Sequence, residues 1–172
     1  MAENTSPHPF VAYLETLVED RAALAALRRG LGQPPGTVAE MYPYVVPRLP
    51  RGANRSEEDA YYALAALFGF HPSVARTGNL GDHLARTIAA DADRAAVERR
   101  FVALLKAHPE DLAGQLRQAI SFLKSKEVPV NWSQLLLDMC AWDHPQRYVQ
   151  RRWANAFWGT PNQSTDSQAN EE

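Results

Sequence analysis

The chain has 172 residues, 45% hydrophobic and 22% charged, a length and balance typical of a soluble globular protein with a substantial core. Its one cysteine, Cys140, excludes an internal disulfide and favours the reducing cytoplasm. The N-terminus lacks a basic start followed by an apolar run, and no apolar stretch approaches ~18 residues, so we expect neither a secretory signal nor a membrane span.

The formal net charge of −2 argues against a uniformly basic nucleic-acid binder, but the charge is unevenly distributed. Residues 1–93 carry eight basic and eleven acidic side chains, a net of −3. Residues 94–158 carry ten basic and six acidic ones, a net of +4, and the tail after Gly159 adds −3. Fifteen of the eighteen cations are arginines, which suit bidentate phosphate contact, although the base composition of the genome is an equally good explanation.

Apolar residues at helical spacing predict helices throughout the first half of the chain. The first helix starts after Pro7 and ends at Arg29, where glycines follow. A short helix comes after Thr37, and a loop rich in Pro, Gly and Arg follows it. Ser56 caps a long helix that we expect to be buried on most of its surface, and a short helix follows around residues 83–89.

The second half shows the same spacing in four further segments. An apolar stripe over residues 97–105 ends at Pro109, and the next helix spans about residues 109–126. A further helix covers residues 132–142, and the last one ends at about Trp158.

These patterns predict an all-α fold with under ~5% strand. We expect two small helical bundles joined by a short linker: an N-terminal helical domain over residues 1–92 and a C-terminal helical bundle over residues 93–159. Residues 160–172 are polar and lack aromatic side chains, so they are predicted to form a disordered tail.

All four tryptophans fall in residues 131–158, among amide and basic side chains. Trp132 and Trp142 bracket one predicted helix, and Trp153 follows Val149 by one turn, so we predict that these three indoles are core residues. Trp158, beside the tail, is the least suited to burial.

No pattern of residues predicts catalysis, a metal site or a cofactor site. The five histidines are scattered without metal-ligand spacing, and Cys140 lies in an apolar helix as expected of a buried thiol. The glycines at positions 30, 32 and 36 end a helix instead of following a strand, so they do not form a phosphate loop. We therefore predict a protein that is not an enzyme, although a site assembled without a sequence signature stays an alternative.

Several segments together resemble the CasB family, the small subunit of the type I-E CRISPR Cascade surveillance complex. They are LAALRRG, MYPYVVP, TGNLGDHLA, ERRFVALLKA, DLAGQLRQAISFLKS and the tryptophan-rich stretch NWSQLLLDMCAWDHPQRYVQRRWANAFW. None of them is a chemical motif, but their order along residues 10–158 is specific.

The resemblance implies a non-catalytic protein that stacks head to tail with a second copy and contacts the other Cascade subunits. It also implies a basic path for the guide RNA and the target DNA, which would stabilise the opened duplex. Phosphate contacts of this kind carry no sequence information, because base pairing with the guide reads the sequence. The alternative is a helical protein–protein adaptor whose basic face meets an acidic partner and which has no nucleic-acid role.

The candidate nucleic-acid-binding residues are basic side chains at these motif positions or at helical spacing near them. They are Arg28, Arg29, Arg51, Arg99, Arg100, Arg117, Lys124, Lys126, Arg147 and Arg151. For each one, a solvated cation near a helix C-terminus is the competing interpretation.

Overall fold

The computed structural model describes residues 6–159, and their secondary structure is predominantly helical, as predicted. The α-helices are α1 (Pro9–Glu15), α2 (Arg21–Arg28), α3 (Tyr42–Val45), α4 (Arg55–Phe70), α5 (Leu80–Ala85), α6 (Asp91–Leu105), α7 (Leu112–Ser125), α8 (Trp132–Cys140) and α9 (Tyr148–Trp158). Short 3₁₀ helices at Ala39–Met41 and Val46–Arg48 flank α3. The only β pairing among the described residues is an isolated parallel bridge between Val74 and Val130.

The predicted tail over residues 160–172 lies outside the described residues. None of the helices described combines the length and the apolar character that crossing a membrane requires.

The prediction of one long first helix is wrong, because the chain turns between α1 and α2. The Asp20 side chain accepts a hydrogen bond from the Ala23 N–H at 2.9 Å and so starts a new helix. Before it, the Thr16 hydroxyl donates to the Tyr13 carbonyl at 2.6 Å, which closes α1. The acidic N-cap residue Asp20 marks the start of α2, but the continuous apolar stripe around it favoured a single helix.

Side-chain caps also correct two predicted helix starts. The long helix α4 begins after Asn54, not Ser56: Asn54 Oδ1 accepts the Glu57 N–H at 2.9 Å, and Glu57 Oε2 accepts the Asn54 N–H at 3.2 Å. The same reciprocal arrangement between Asn79 and Asp82 starts α5 at Leu80, earlier than predicted. Both are capping boxes built on asparagine.

The division into two bundles is not confirmed, because helices of the two predicted domains pack on one another. Helix α4 lies at the centre and packs against α2 and α8, while α5 packs against α9. These crossings are close: a Cβ at Gly69 would lie 2.8 Å from Leu27 Cβ, and one at Gly81 would overlap the Trp153 carbonyl. The buried hydrophobic side chains form one continuous cluster that includes residues from both halves. The boundary between residues 92 and 93 stays a prediction.

The prediction of three core tryptophans is confirmed. Trp132 and Trp153 are fully buried and Trp142 nearly so. Each indole N–H has an acceptor: the Ser73 carbonyl for Trp132, the Ala107 carbonyl for Trp142 and Asp138 for Trp153. Burial of these three indoles therefore leaves none of their N–H groups without a hydrogen-bond acceptor. Trp158, in contrast, is 45% exposed.

His83 is a buried histidine that connects α5 to the start of α8. Its Nε2 atom accepts the Asn131 backbone N–H at 3.0 Å, so the neutral ring carries its proton on Nδ1. Nδ1 is buried and has no hydrogen-bond partner among the described residues. Burial, and next the charge of Arg86, lower the pKa of His83 to about 4, against the opposing effect of Asp82.

This low pKa predicts that the fold loses stability on acidification. Between pH 6.5 and 4 the unfolded chain protonates His83 while the folded chain does not, so the free energy of unfolding falls by up to about 3 kcal/mol as the pH drops through that range. Urea titrations from pH 7 to 4.5 of the wild type and of His83→Gln measure the effect. Asp138, whose pKa burial raises, acts in the opposite direction but is common to both proteins. Identical pH profiles for the two proteins would contradict the assignment to His83.

Candidate nucleic-acid interface

A cleft of about 1340 Å³ runs along the solvent-facing side of α7. The loop over residues 30–36 and part of α4 line it as well, and α6 contributes Arg99, Arg100, Ala103 and Leu104. The volume exceeds the roughly 300–1,000 Å³ of typical small-molecule sites. The cleft therefore has room for a ligand larger than a typical small molecule.

Three of the ten predicted cations line this cleft: Arg99 and Arg100 from α6, and Arg117 from α7. Each is exposed to solvent. Helix α6 turns Val97, Phe101 and Leu104 into the core, which leaves the two arginines outside the buried stripe. On α7, Arg117 follows the buried Leu116 and so lies at the edge of its apolar face. The structure thus brings the ERRF and QLR segments to one cleft.

Gly32 makes room for Arg117 in the cleft wall. An ideal Cβ at Gly32 would lie 2.5 Å from Arg117 Nη1, and the backbone there has a φ of +73°, which favours glycine. The loop over residues 30–36 therefore packs beside Arg117 and forms part of the cleft wall. Sequence reasoning missed this structural role, because the contact joins residues far apart in the chain.

Two of the predicted cations, Arg100 and Lys126, lie near Phe122, a half-buried residue of α7 that also lines the cleft. The Arg100 guanidinium carbon lies 4.9 Å from the centroid of the Phe122 ring. Lys126 Nζ, from the residue that follows α7, lies 5.9 Å from the same centroid. Lys126 does not line the cleft itself, but its ammonium group lies near Phe122, which does.

The other six candidates are not among the residues that line the cleft. They are Arg28, Arg29, Arg51, Lys124, Arg147 and Arg151. Three of them have partners within the chain. Arg29 pairs with Glu40 at 2.9 Å, and Lys124 Nζ donates to the Phe70 carbonyl at 2.9 Å. The Arg147 Nη2 donates to the Leu105 carbonyl at 2.7 Å, which caps the end of α6. One groove that joins all ten residues stays a prediction.

Sequence reasoning missed the polar face that α7 presents to the cleft. Gly114, Gln118, Ser121 and Ser125 all line it, at steps of four, three and four residues. That spacing places them on one side of a helix, opposite the buried stripe. The spacing of these four residues is visible in the sequence and could have indicated this face. These amides and hydroxyls can bond phosphate or sugar oxygens.

No cluster of three or more His, Cys, Asp or Glu side chains that could hold a metal ion occurs in residues 6–159. The single cysteine, Cys140, is half-buried on α8. Burial, with a smaller effect of Glu57, raises the pKa of its thiol to about 11, so the thiol stays protonated at neutral pH.

Comparisons with known proteins agree on one family. The family model described as CRISPR-associated protein Cse2 matches residues 23–158. A CRISPR-associated protein Cse2 of Thermus thermophilus is 40% identical over 140 residues, which are 80% of this chain and 79% of the relative. The crystal structure of CasB from Thermus thermophilus is 35% identical, with a TM-score of 0.77 over 88% of this chain and 96% of that one. A chain of a CRISPR RNA-guided surveillance complex is 30% identical, with a TM-score of 0.75 over 86% and 88% of the two chains.

Proposed function

The chain belongs to the CRISPR-associated protein Cse2 family, and we propose that it is a non-catalytic small subunit of a type I-E CRISPR Cascade complex. In this role it binds nucleic-acid backbone and stabilises the opened duplex in which guide RNA pairs with target DNA. Base pairing with the guide RNA recognises the target sequence, while the protein stabilises the opened duplex through contacts with the backbone.

The observation that carries the proposal is the convergence of Arg99, Arg100 and Arg117 on one open cleft. Exposed arginines contact phosphates without regard to base sequence, and an extended strand needs cations repeated along a path instead of one deep pocket. The amide and hydroxyl groups on the same face of α7 supply further contacts of this kind.

Assembly with other subunits and with a second copy is the remaining part of the proposal. A 30% identical chain in the structure of a surveillance complex supports it. Head-to-tail stacking joins two different surfaces of one chain. The chain has large apolar side chains exposed at Tyr42 and Val46 in its first half, and at Leu137 and Trp158 in its second half. We assign these side chains to contacts between proteins.

Binding of single-stranded DNA by the full-length chain, followed by fluorescence anisotropy at several salt concentrations, tests the proposal. Three phosphate contacts predict that the logarithm of the binding constant falls with the logarithm of the salt concentration with a slope of about −2. Oligonucleotides of different sequence should give similar affinities. Binding that is absent at low salt, or that does not change with salt, would favour the protein–protein adaptor instead.

A further inference from the structure

Phe122 is one of two aromatic residues that line the cleft, and the other, Tyr62, is buried. It lies on α7 between Ser121, which lines the cleft, and the buried Leu123. Its ring packs partly against the core and is otherwise open to the cleft. The part of the ring that lines the cleft is accessible to a ligand.

Two cationic side chains, Arg100 and Lys126, lie near this ring. The Arg100 guanidinium lies over the ring at 4.9 Å, and Lys126 Nζ lies 5.9 Å from its centroid. Among the described residues neither cation forms an ion pair with a carboxylate. Arg100 can therefore turn to a phosphate, or its planar group can stack with a base, while the ring offers its face.

The geometry points to Phe122, together with Arg100, as the stacking site for an unpaired nucleobase of single-stranded DNA. This inference rests on the proposed function and adds to it a contact with a base, which the backbone contacts do not require. Every base has a flat π face, so stacking on a ring increases affinity without reading sequence.

The unpaired strand of an opened duplex is the ligand with the matching chemistry. In the guide–target hybrid the bases are paired and stacked on one another, so they have no free face for an aromatic side chain. The strand left without a partner has free faces, and an aromatic ring with neighbouring cations is how proteins hold such strands. The cleft, at about 1340 Å³, has room for more than one nucleotide beside Phe122.

A comparison of a normal oligonucleotide with an abasic one of the same length tests the stacking contact. Both carry the same phosphates, so only the bases differ. Measured by anisotropy with the full-length chain, the wild type should bind the normal strand about five- to tenfold more tightly. Phe122→Leu should lose that preference by weakening for the normal strand alone, with an unchanged salt slope. Phe122→Tyr should keep the preference, because it keeps the ring.

Tyr148→Leu provides the matched control. The Tyr148 ring also lies beneath a guanidinium, that of Arg152 at 5.0 Å, but it does not line the cleft. This variant should bind both strands as the wild type does. Thermal melting of each variant checks that its fold is intact.

The outcomes separate this inference from the proposed function. Equal wild-type affinity for the two strands, or equal weakening of both by Phe122→Leu, would overturn the stacking site and leave backbone binding in place. Failure of the wild type to bind either strand would overturn the proposed function, and the stacking site with it.

Discussion

Replacement of Trp153 by alanine is expected to lower the free energy of unfolding by about 3–5 kcal/mol. The side chain is fully buried, and its ring lies 5.1 Å from that of Trp142. Its Nε1–H donates to Asp138 Oδ2 at 2.7 Å, and Asp138 is itself only 4% exposed. The substitution therefore opens a cavity and also removes a donor from a buried carboxyl group, which increases the cost.

Chemical denaturation of three variants distinguishes these two effects. Trp153→Phe keeps much of the apolar volume but loses the N–H, so we expect a smaller loss than for alanine. Trp158→Ala is the control, because its ring is 45% exposed and stacks at the rim on Phe101, and it should cost about 1 kcal/mol or less. A Trp153→Ala protein as stable as the wild type would show that this indole does not hold the core together.

Replacement of all three cleft arginines by alanine should weaken single-stranded DNA binding roughly 100-fold, at about 1 kcal/mol for each solvated contact. The changes are Arg99→Ala, Arg100→Ala and Arg117→Ala. Each single change should have a modest effect of similar size for all base sequences. The melting temperature should stay almost unchanged, because all three side chains are exposed.

A control with the same change in net charge uses arginines outside the cleft. Arg55, Arg76 and Arg94 each pair with a carboxylate, those of Asp59, Glu15 and Glu98. None of these arginines lines the cleft. Their combined replacement by alanine should leave DNA affinity close to that of the wild type. Equal losses in the two triple variants would mean that overall charge, and not the cleft, governs binding.

Features that depend on the spacing of nearby residues could be predicted from the sequence. Stripes of apolar residues gave the helices, and the one-turn relation of Trp153 to Val149 placed that indole in the core, as the structure confirms. Helix starts were less accurate, because a single capping side chain such as Asp20 or Asn54 decides them against a continuous apolar pattern.

The cleft depends on contacts between distant residues, so local spacing could not predict it. Arg99 and Lys106 are seven residues apart, a spacing that favours one side of a helix, yet only Arg99 lines the cleft. Arg147 and Arg151 are one turn apart, but Arg147 has a left-handed backbone and binds the end of α6. The packing of α6, α7 and the loop over residues 30–36 determines which cationic side chains line the cleft.

The lifetime of the opened duplex on the complete complex measures directly whether Arg99 and Arg117 stabilise the opened state. Complexes assembled with the wild type or with Arg99→Glu combined with Arg117→Glu would be loaded with target DNA. The unpaired strand would then be followed over time by its reactivity toward a single-strand probe. The variant complex should assemble normally, and its opened duplex should close at least tenfold faster, because the introduced negative charges repel the phosphates. An opened duplex of unchanged lifetime in a fully assembled variant complex would show that these arginines do not stabilise the opened state.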